Sequence, residues 1–319
     1  MDAAASKCSE TRPETRTMRR TRFICISDTH NANVALPKGD VLIHAGDLTN
    51  RGSYSELSKT IQWLEKADFE CKIVIAGNHE LTLDEPYYAD LRATSSRPNY
   101  TDDPSKCLSL LTSSSLTYLS HASTKIQLSS PSGPRTTFTV FGSPHTPRRG
   151  QETAFSAFVY DTPNKPSDPS PTLWNDIPSD ADIVVTHTPP RGHLDMVPGD
   201  IHIGCVALRK ALWRVRPRLA VCGHVHFGRG ADYVSWGPEE GEVASTETWV
   251  DPAPEGKKNS LVDLTARRGA LGQRGNGHEG SCVVNASIQT GSYTLDPHHR
   301  GYRKMNKPIV VDLDLPTWE

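Results

Sequence analysis

Phe23-Ile24-Cys25-Ile26-Ser27-Asp28-Thr29-His30 is an apolar run that passes directly into polar residues, two of which can bind a metal. Such a continuous apolar run suits a strand buried on both faces. The design recurs along the chain. Val41-Leu42-Ile43 precedes Gly46-Asp47, and Ile73-Val74-Ile75 precedes Gly77-Asn78-His79-Glu80. Ile183-Val184-Val185 precedes Thr186-His187, and Leu219-Ala220-Val221 precedes Gly223-His224-Val225-His226. Sites in α/β folds form at the carboxyl ends of strands, where loops are free and the sheet holds them rigid.

Helices are predicted between these strands. Ser53-x-x-Glu56 is a capping box, with Leu57, Ile61 and Leu64 following on one face. Leu208, Leu212 and Val215 repeat that spacing before Pro217 stops the helix. A short helix is predicted to start near Pro104 and carry Leu108 and Leu111. Residues 136–141 alternate as a strand does, and two more strands are expected at 282–287 and 308–313. Residues 161–171, full of Pro and Ser, read as a loop.

A single site needs all five motifs, so one domain is expected over residues 21–319. Residues 1–20 are expected to be a disordered tail. Residues 231–281 show almost no periodicity and many Gly, Glu and Arg, which predicts a flexible insertion. It follows His226 directly and could act as a lid over the substrate.

The chain has 319 residues and a net charge of -2, so no global basic field favours nucleic acid. No apolar run approaches the roughly 20 residues that cross a bilayer, and residues 1–22 lack the apolar stretch of a secretory signal. Arginines at 12, 16, 19, 20 and 22 hint at a nuclear or organelle address, which Asp2, Glu10 and Glu14 weaken. Seven cysteines without a Cys-x-x-Cys pair fit a reducing cytosol. The glycosylation patterns at Asn99 and Asn285 are read as chance.

The strand-end motifs supply Asp28, His30, Asp47, Asn78, His187, His224 and His226, a ligand set for two divalent ions. Two such ions about 3.5–4 Å apart repel unless an anion lies between them. Asp47 is the candidate bridge. Asp28, His30 and His226 would complete one site, and Asn78, His187 and His224 the other. Nitrogen and oxygen donors without thiolate favour Mn, Fe or Zn. Such a pair lowers the pKa of a bound water from about 15.7 towards about 7, giving a hydroxide that attacks phosphorus. His79 is the candidate general acid for the leaving oxygen, or a stabiliser of the transition state's charge.

Any one of these residues alone is more often a loop or core residue than a ligand; five such pieces, each at a strand end, are not chance. Candidate substrate contacts are Asn50 and Arg51, just after Gly46-Asp47, and the loop histidines His145 and His193. His44, inside the second strand pattern, is read as a hydrogen-bonded core histidine. His121, His202, His278, His298 and His299 have no motif context and are read as solvated.

The order of motifs resembles the calcineurin-like metallophosphoesterase superfamily. Finer features resemble its metallophosphoesterase-domain-containing branch: Gly46-Asp47-Leu48-Thr49-Asn50, Gly142-Ser143-Pro144-His145-Thr146-Pro147, Thr186-His187-Thr188-Pro189-Pro190 with Gly192 and Asp195, Asn285-Ala286-Ser287, and Asn306-Lys307-Pro308-Ile309-Val310. The resemblance implies a four-layer α/β/β/α sandwich of two mixed sheets flanked by helices, with a dimetal centre at one edge. It also implies phosphodiesterase activity on a small phosphoester, with cyclic nucleotides among the substrates. The alternatives are a nucleotide-binding or scaffold protein with a vestigial site, and a phosphomonoesterase or protein phosphatase. Arg51-Gly52 also resembles the Ser/Thr protein phosphatases, but those carry Asp where Asn50 stands.

Overall fold

The computed structural model describes residues 17–95, 100–148, 156–162, 172–267, 270–272, 280–290 and 305–318. The chain begins with β1 (Met18–Ile26), β2 (Val41–Ala45), α1 (Tyr54–Lys66) and β3 (Cys71–Ile75). Next come α2 (Glu85–Thr94), α3 (Pro104–Thr112), β4 (Thr117–Tyr118), β5 (Ala122–Gln127) and β6 (Thr137–Ser143). Two short pieces, β7 (Thr146–Pro147) and β8 (Val159–Tyr160), lead to β9 (Ile183–Thr186). The hairpin β10 (Met196–Val197) and β11 (Ile201–His202) precedes α4 (Val206–Val215) and β12 (Leu219–Cys222). The chain ends with β13 (Gly230–Trp236), β14 (Val243–Thr248), β15 (Ser260–Leu264), β16 (Gly280–Asn285) and β17 (Ile309–Pro316).

These strands build two mixed sheets. One has the order β15-β17-β1-β2-β3-β4 and the other β14-β13-β16-β12-β9-β6-β5. β1, β2 and β3 run parallel, as do β6, β9 and β12, while β17 and β13 enter antiparallel. Side chains alternate across each strand. Phe23, Cys25, Ile43, Ile73 and Ile75 of the first sheet meet Phe138, Val140, Val185, Val221 and Val284 of the second in one shared core. Ile24, Ile26, Leu42 and Val74 face the other way, onto Leu57, Ile61 and Leu64 of α1 and Leu111 of α3. Val184, Ala220 and Cys222 likewise cover Leu208, Leu212 and Val215 of α4. This is the helix–sheet–sheet–helix layering, and it explains why the five strands read as unbroken apolar runs: both faces are covered.

The predicted helices form where expected. Ser53 accepts from the Glu56 amide while the Glu56 side chain accepts from the Ser53 amide, closing the capping box. In α3 the buried face is Cys107 and Leu111, and Leu108 is 42% exposed. Two boundaries are corrected. Residues 18–20 belong to β1, paired with Pro316, Leu315 and Asp314; the rest of the expected tail through residue 16 lies outside the described residues.

The second correction is larger. Residues 231–281 were expected to be a flexible insertion, yet their described part holds most of β13 and all of β14 and β15. β13 pairs with β16, β14 forms one edge of the second sheet, and β15 forms one edge of the first. Ala231, Val234, Trp236 and Val262 are buried. Arg229 anchors the segment, ion-paired to Asp251 at 3.2 Å and donating to the Lys307 carbonyl. Excising residues 231–280 should therefore cost the fold, not merely reorder substrates. Trp236→Ala is the milder test: it should lower unfolding free energy by about 3–5 kcal/mol in urea titration, whereas a loop residue would give almost no change.

Among the described residues, no helix is long and apolar enough to cross a membrane.

Candidate metal centre

The carboxyl ends of β1, β2, β3, β9 and β12 meet at one edge of the sandwich. Backbone hydrogen bonds extend the strand pairing into the loops. Asp28 N–H donates to Gly46 O (2.9 Å), His187 N–H to Ser143 O (3.1 Å) and Gly223 N–H to His187 O (3.0 Å). The loops then turn sharply: Asp28, His30, Asp47 and His224 all have positive φ, of 54°, 45°, 51° and 65°. Non-glycine residues rarely adopt this region, at a cost of order 1–3 kcal/mol each. Their concentration here marks a site that the surrounding sheets hold in place.

Asp28, His30, Asp47 and His226 present donor atoms all within 4.8 Å of one another. His226 Nε2 lies 3.3 Å from Asp28 Oδ1, and His30 Nε2 lies 3.6 Å from Asp47 Oδ2. The remaining predicted residues close around the other side of Asp47. His187 Nε2 is 3.3 Å from Asp47 Oδ2 and 3.0 Å from Asn78 Oδ1, which is itself 2.9 Å from His224 Nδ1. Asp47 Oδ2 thus stands between two groups of donors, as a shared ligand must.

The ring nitrogens are oriented for this. His30 Nδ1 faces the Thr49 carbonyl at 3.2 Å and His187 Nδ1 faces the Ala45 carbonyl at 2.9 Å. A carbonyl only accepts, so each Nδ1 carries a proton and each Nε2 is the atom that faces the cluster and would bind an ion. His44 stands behind them, fully buried, with Nε2 2.9 Å from Thr29 Oγ1. It is the core histidine expected.

Charge balance explains how the carboxylates survive burial. Burial pushes the Asp28 carboxyl up, but its hydrogen bond to His226 and the nearby imidazoles hold it down at about 2. Burial likewise opposes Asp47, whose neighbours His187, His79 and His30 keep it well below the ordinary carboxylate range. Burial disfavours charge on His187, yet Asp47 and Asp28 raise it to about 9. The donor set and its tight packing fit divalent ions. Beside the ligands, a Cβ at Gly77 would collide with the Asp47 carboxylate, and one at Gly223 with that of Asp28. Gly77→Ala should therefore displace Asp47 and sharply weaken metal binding in calorimetric titration, with the circular dichroism spectrum unchanged. Wild-type affinity in the variant would refute this packing account.

His79 is set apart from the ligands. Its amide donates to Asp47 Oδ1 (3.0 Å), and its Nδ1 faces the Asn50 carbonyl at 2.8 Å. Burial lowers its pKa, but Asp47 and that carbonyl more than offset this and raise it. Asn50 therefore enters the site through its backbone. Arg51 is exposed at the turn into α1. His193 is 4% exposed and turns toward β13, 3.7 Å from Asp232 and with its ring 6.5 Å from that of Trp236. His145 lies on the loop after β6, bonded to Ser143 Oγ at 3.1 Å. His121, read as solvated, is instead bound to Ser143 and Asp176. His202 is largely exposed but pairs with Asp195 at 2.6 Å. His278, His298 and His299 lie outside the described residues.

Two supporting residues had no assigned role in the sequence. Glu80 is fully buried, and its carboxylate accepts from Thr49 N–H (2.9 Å), Thr49 Oγ1 (2.9 Å) and Gly77 N–H (2.7 Å). It ties the Asp47 loop to the Asn78 loop. Asn285 is buried, not a glycosylation site, and its amide donates to Val225 O (2.9 Å) between the two histidines of the last motif.

The profile of the calcineurin-like phosphoesterases matches residues 21–228, and the chain belongs to that family. It is 40% identical over 224 residues to metallophosphoesterase domain-containing protein 1 of Homo sapiens, covering 66% of this chain and 62% of that protein. It is 42% identical over 220 residues to the probable rhamnogalacturonate lyase C of Emericella nidulans, covering 67% of this chain and 18% of that one. The chain thus spans less than two thirds of the length of either relative. Among solved structures, the protein TT1561 of Thermus thermophilus aligns at a TM-score of 0.39 and 13% identity, over 68% of this chain and 84% of that one.

Proposed function

We propose that the protein is a two-metal phosphoesterase that hydrolyses phosphodiesters, cyclic nucleotides among them. The observation that carries this is Asp47 Oδ2, standing 3.6 Å from His30 Nε2 and 3.3 Å from His187 Nε2. Asp28, His30 and His226 would hold one ion with Asp47; Asn78, His187 and His224 would hold the other. Mn, Fe or Zn suits this donor set. When bound, the pair supplies Lewis acidity toward phosphate oxygens and an activated water.

The chain's own residues do the rest. The carbonyls of Thr49 and Ala45 fix the tautomers of His30 and His187. Glu80 and Asn285 hold the ligand loops against each other. His79, with Nδ1–H committed to the Asn50 carbonyl and its charged form favoured by Asp47, delivers a proton from Nε2 to the leaving oxygen. We assign substrate contact to Asn50, Arg51 and His145; His193 is buried and turned toward β13, which favours a structural role for it. The diester preference is supported by the resemblance of the Gly46–Asn50 and Thr186–Pro190 segments to the metallophosphoesterase-domain branch; the human relative above supports the coarser phosphoesterase reading. Free cysteines at 25, 71, 107, 205, 222 and 282 fit a reducing compartment such as the cytosol.

The direct test is hydrolysis of bis-p-nitrophenyl phosphate beside the monoester, with Mn added. Cleavage of the diester above an Asp47→Asn control is expected; cleavage of neither substrate ends the enzymatic reading.

Metal binding carries a pH signature. His187 retains its proton up to about pH 9 in the metal-free state, and a ligand must shed it. Affinity should rise with pH below that value, by roughly tenfold per unit for one competing proton. Calorimetry in buffers of different ionisation enthalpy should show proton release at pH values below that point. Metal binding whose heat is the same in every buffer and whose affinity does not vary with pH would contradict this.

A further inference from the structure

Beyond the ligand cluster, an unbroken hydrogen-bond chain joins four side chains from three segments. Asp176 Oδ2 lies 3.1 Å from His121 Nε2, and His121 Nδ1 lies 3.0 Å from Ser143 Oγ. Ser143 Oγ lies 3.1 Å from His145 Nδ1. The rings of His121 and His145 pack edge to face at 5.1 Å, and His121 also packs on Phe141 at 5.2 Å.

The direction of the chain can be read from its outer end. An ionised carboxylate only accepts, so His121 Nε2 carries a proton toward Asp176. With Nε2 holding the ring's proton, Nδ1 offers a lone pair toward the Ser143 hydroxyl, which is fully buried. His121 Nδ1 then accepts from the Ser143 O–H, and Ser143 Oγ accepts from His145 Nδ1–H. That leaves the lone pair of His145 on Nε2. Burial, reinforced by His121, pushes the His145 pKa down to about 4, in keeping with a neutral ring.

The chain is tied to the Asn78 and His187 loops through the backbone. Ser143 closes β6, and its carbonyl receives the His187 amide at 3.1 Å. The His145 ring packs against Phe158 at 6.0 Å, and the adjacent Ala157 amide donates to the Asn78 carbonyl at 2.9 Å. His145 therefore stands on the Asn78–His187 flank of the cluster, and it is half-buried.

We propose that Asp176, His121 and Ser143 hold His145 in its Nδ1–H tautomer, so that its Nε2 accepts a hydrogen bond from a hydroxyl or amine on the organic part of the phosphoester. The substrate half of this statement rests on the phosphoesterase reading above; the tautomer half does not. Asp176, His121 and Ser143 are positioning residues, acting through His145.

The test is long-range 1H–15N correlation on the full-length protein loaded with diamagnetic Zn. The His145 signals are assigned by their loss in His145→Gln. The expected pattern is a protonated Nδ1 and a bare Nε2. In Asp176→Ala, a change at an exposed position, the His145 signals should shift toward a mixture of tautomers, and Ser143→Ala should do the same. If diester turnover is measurable, Asp176→Ala should raise KM roughly fivefold, as loss of one neutral hydrogen bond does, with kcat little changed. A proton found on His145 Nε2, or a tautomer that ignores both variants, overturns the proposal. The spectra decide this even if no phosphoester is cleaved, so failure of the relay and failure of the enzymatic reading are told apart. The expected tautomer shift in Asp176→Ala with KM unchanged would overturn the substrate contact.

Discussion

Asp47→Asn should abolish the paired metal centre and lower diester turnover by roughly 10³-fold or more. The amide keeps the shape of the side chain, and its oxygen can still receive the His79 N–H that Asp47 Oδ1 accepts at 3.0 Å. What it loses is charge and a lone pair where Oδ2 faces both His30 and His187. An NH2 in that place opposes both ions at once. Elemental analysis should show at most one equivalent retained. The metal-free form should suffer as well, because His187 loses the carboxylate that keeps it protonated to about pH 9. That stabilisation is present below the unfolded histidine pKa and fades as pH rises through the folded value. The variant's deficit in thermal stability should therefore be greatest near pH 6 and shrink toward pH 9. A deficit that does not vary with pH would contradict the charge pairing.

His79→Gln should lower turnover of a diester with a poor leaving group by roughly 10²–10⁴-fold and leave both metals bound. His79 contributes its Nδ1 to the Asn50 carbonyl rather than to the ligand cluster. Its raised pKa keeps the acid form populated above the ordinary histidine range, so wild-type turnover should fall as pH rises through that pKa. The variant should lack that alkaline limb. A diester with p-nitrophenolate as leaving group needs less protonation and should lose much less activity. Metal loss in His79→Gln would make it a ligand; equal losses with both leaving groups would remove it as the acid.

The site was legible because its chemistry is local to strand ends. An apolar run, a turn and a ligand occupy fewer than ten consecutive residues, and the two-sheet packing then brings five such ends together. What could not be read is what depends on partners distant in sequence. Glu80 was visible within Gly77-Asn78-His79-Glu80, but its bonds to Thr49 are made across strands. Asn285 matched a glycosylation pattern, and only its burial beneath Val225 reveals its use. His121 had no neighbouring motif, since Ser143 and Asp176 come to it through the fold. The strands in 231–281 were missed for a related reason. β14 is an edge strand with mostly exposed side chains, Val243–Thr248, so it shows no apolar alternation. β15 has only five residues, and its pairing with β17 lies far along the chain. Composition described this segment's surface, while its fold is set by the sheet edges it joins.

The centre of the account is one carboxylate shared by two ions, and metal stoichiometry tests it most directly. Purified protein, stripped with chelator and reloaded with Mn, should bind two equivalents per chain by elemental analysis. Asp47→Asn should bind at most one. Wild-type protein that saturates at one equivalent or none, or an Asp47→Asn variant that still holds two, would contradict it.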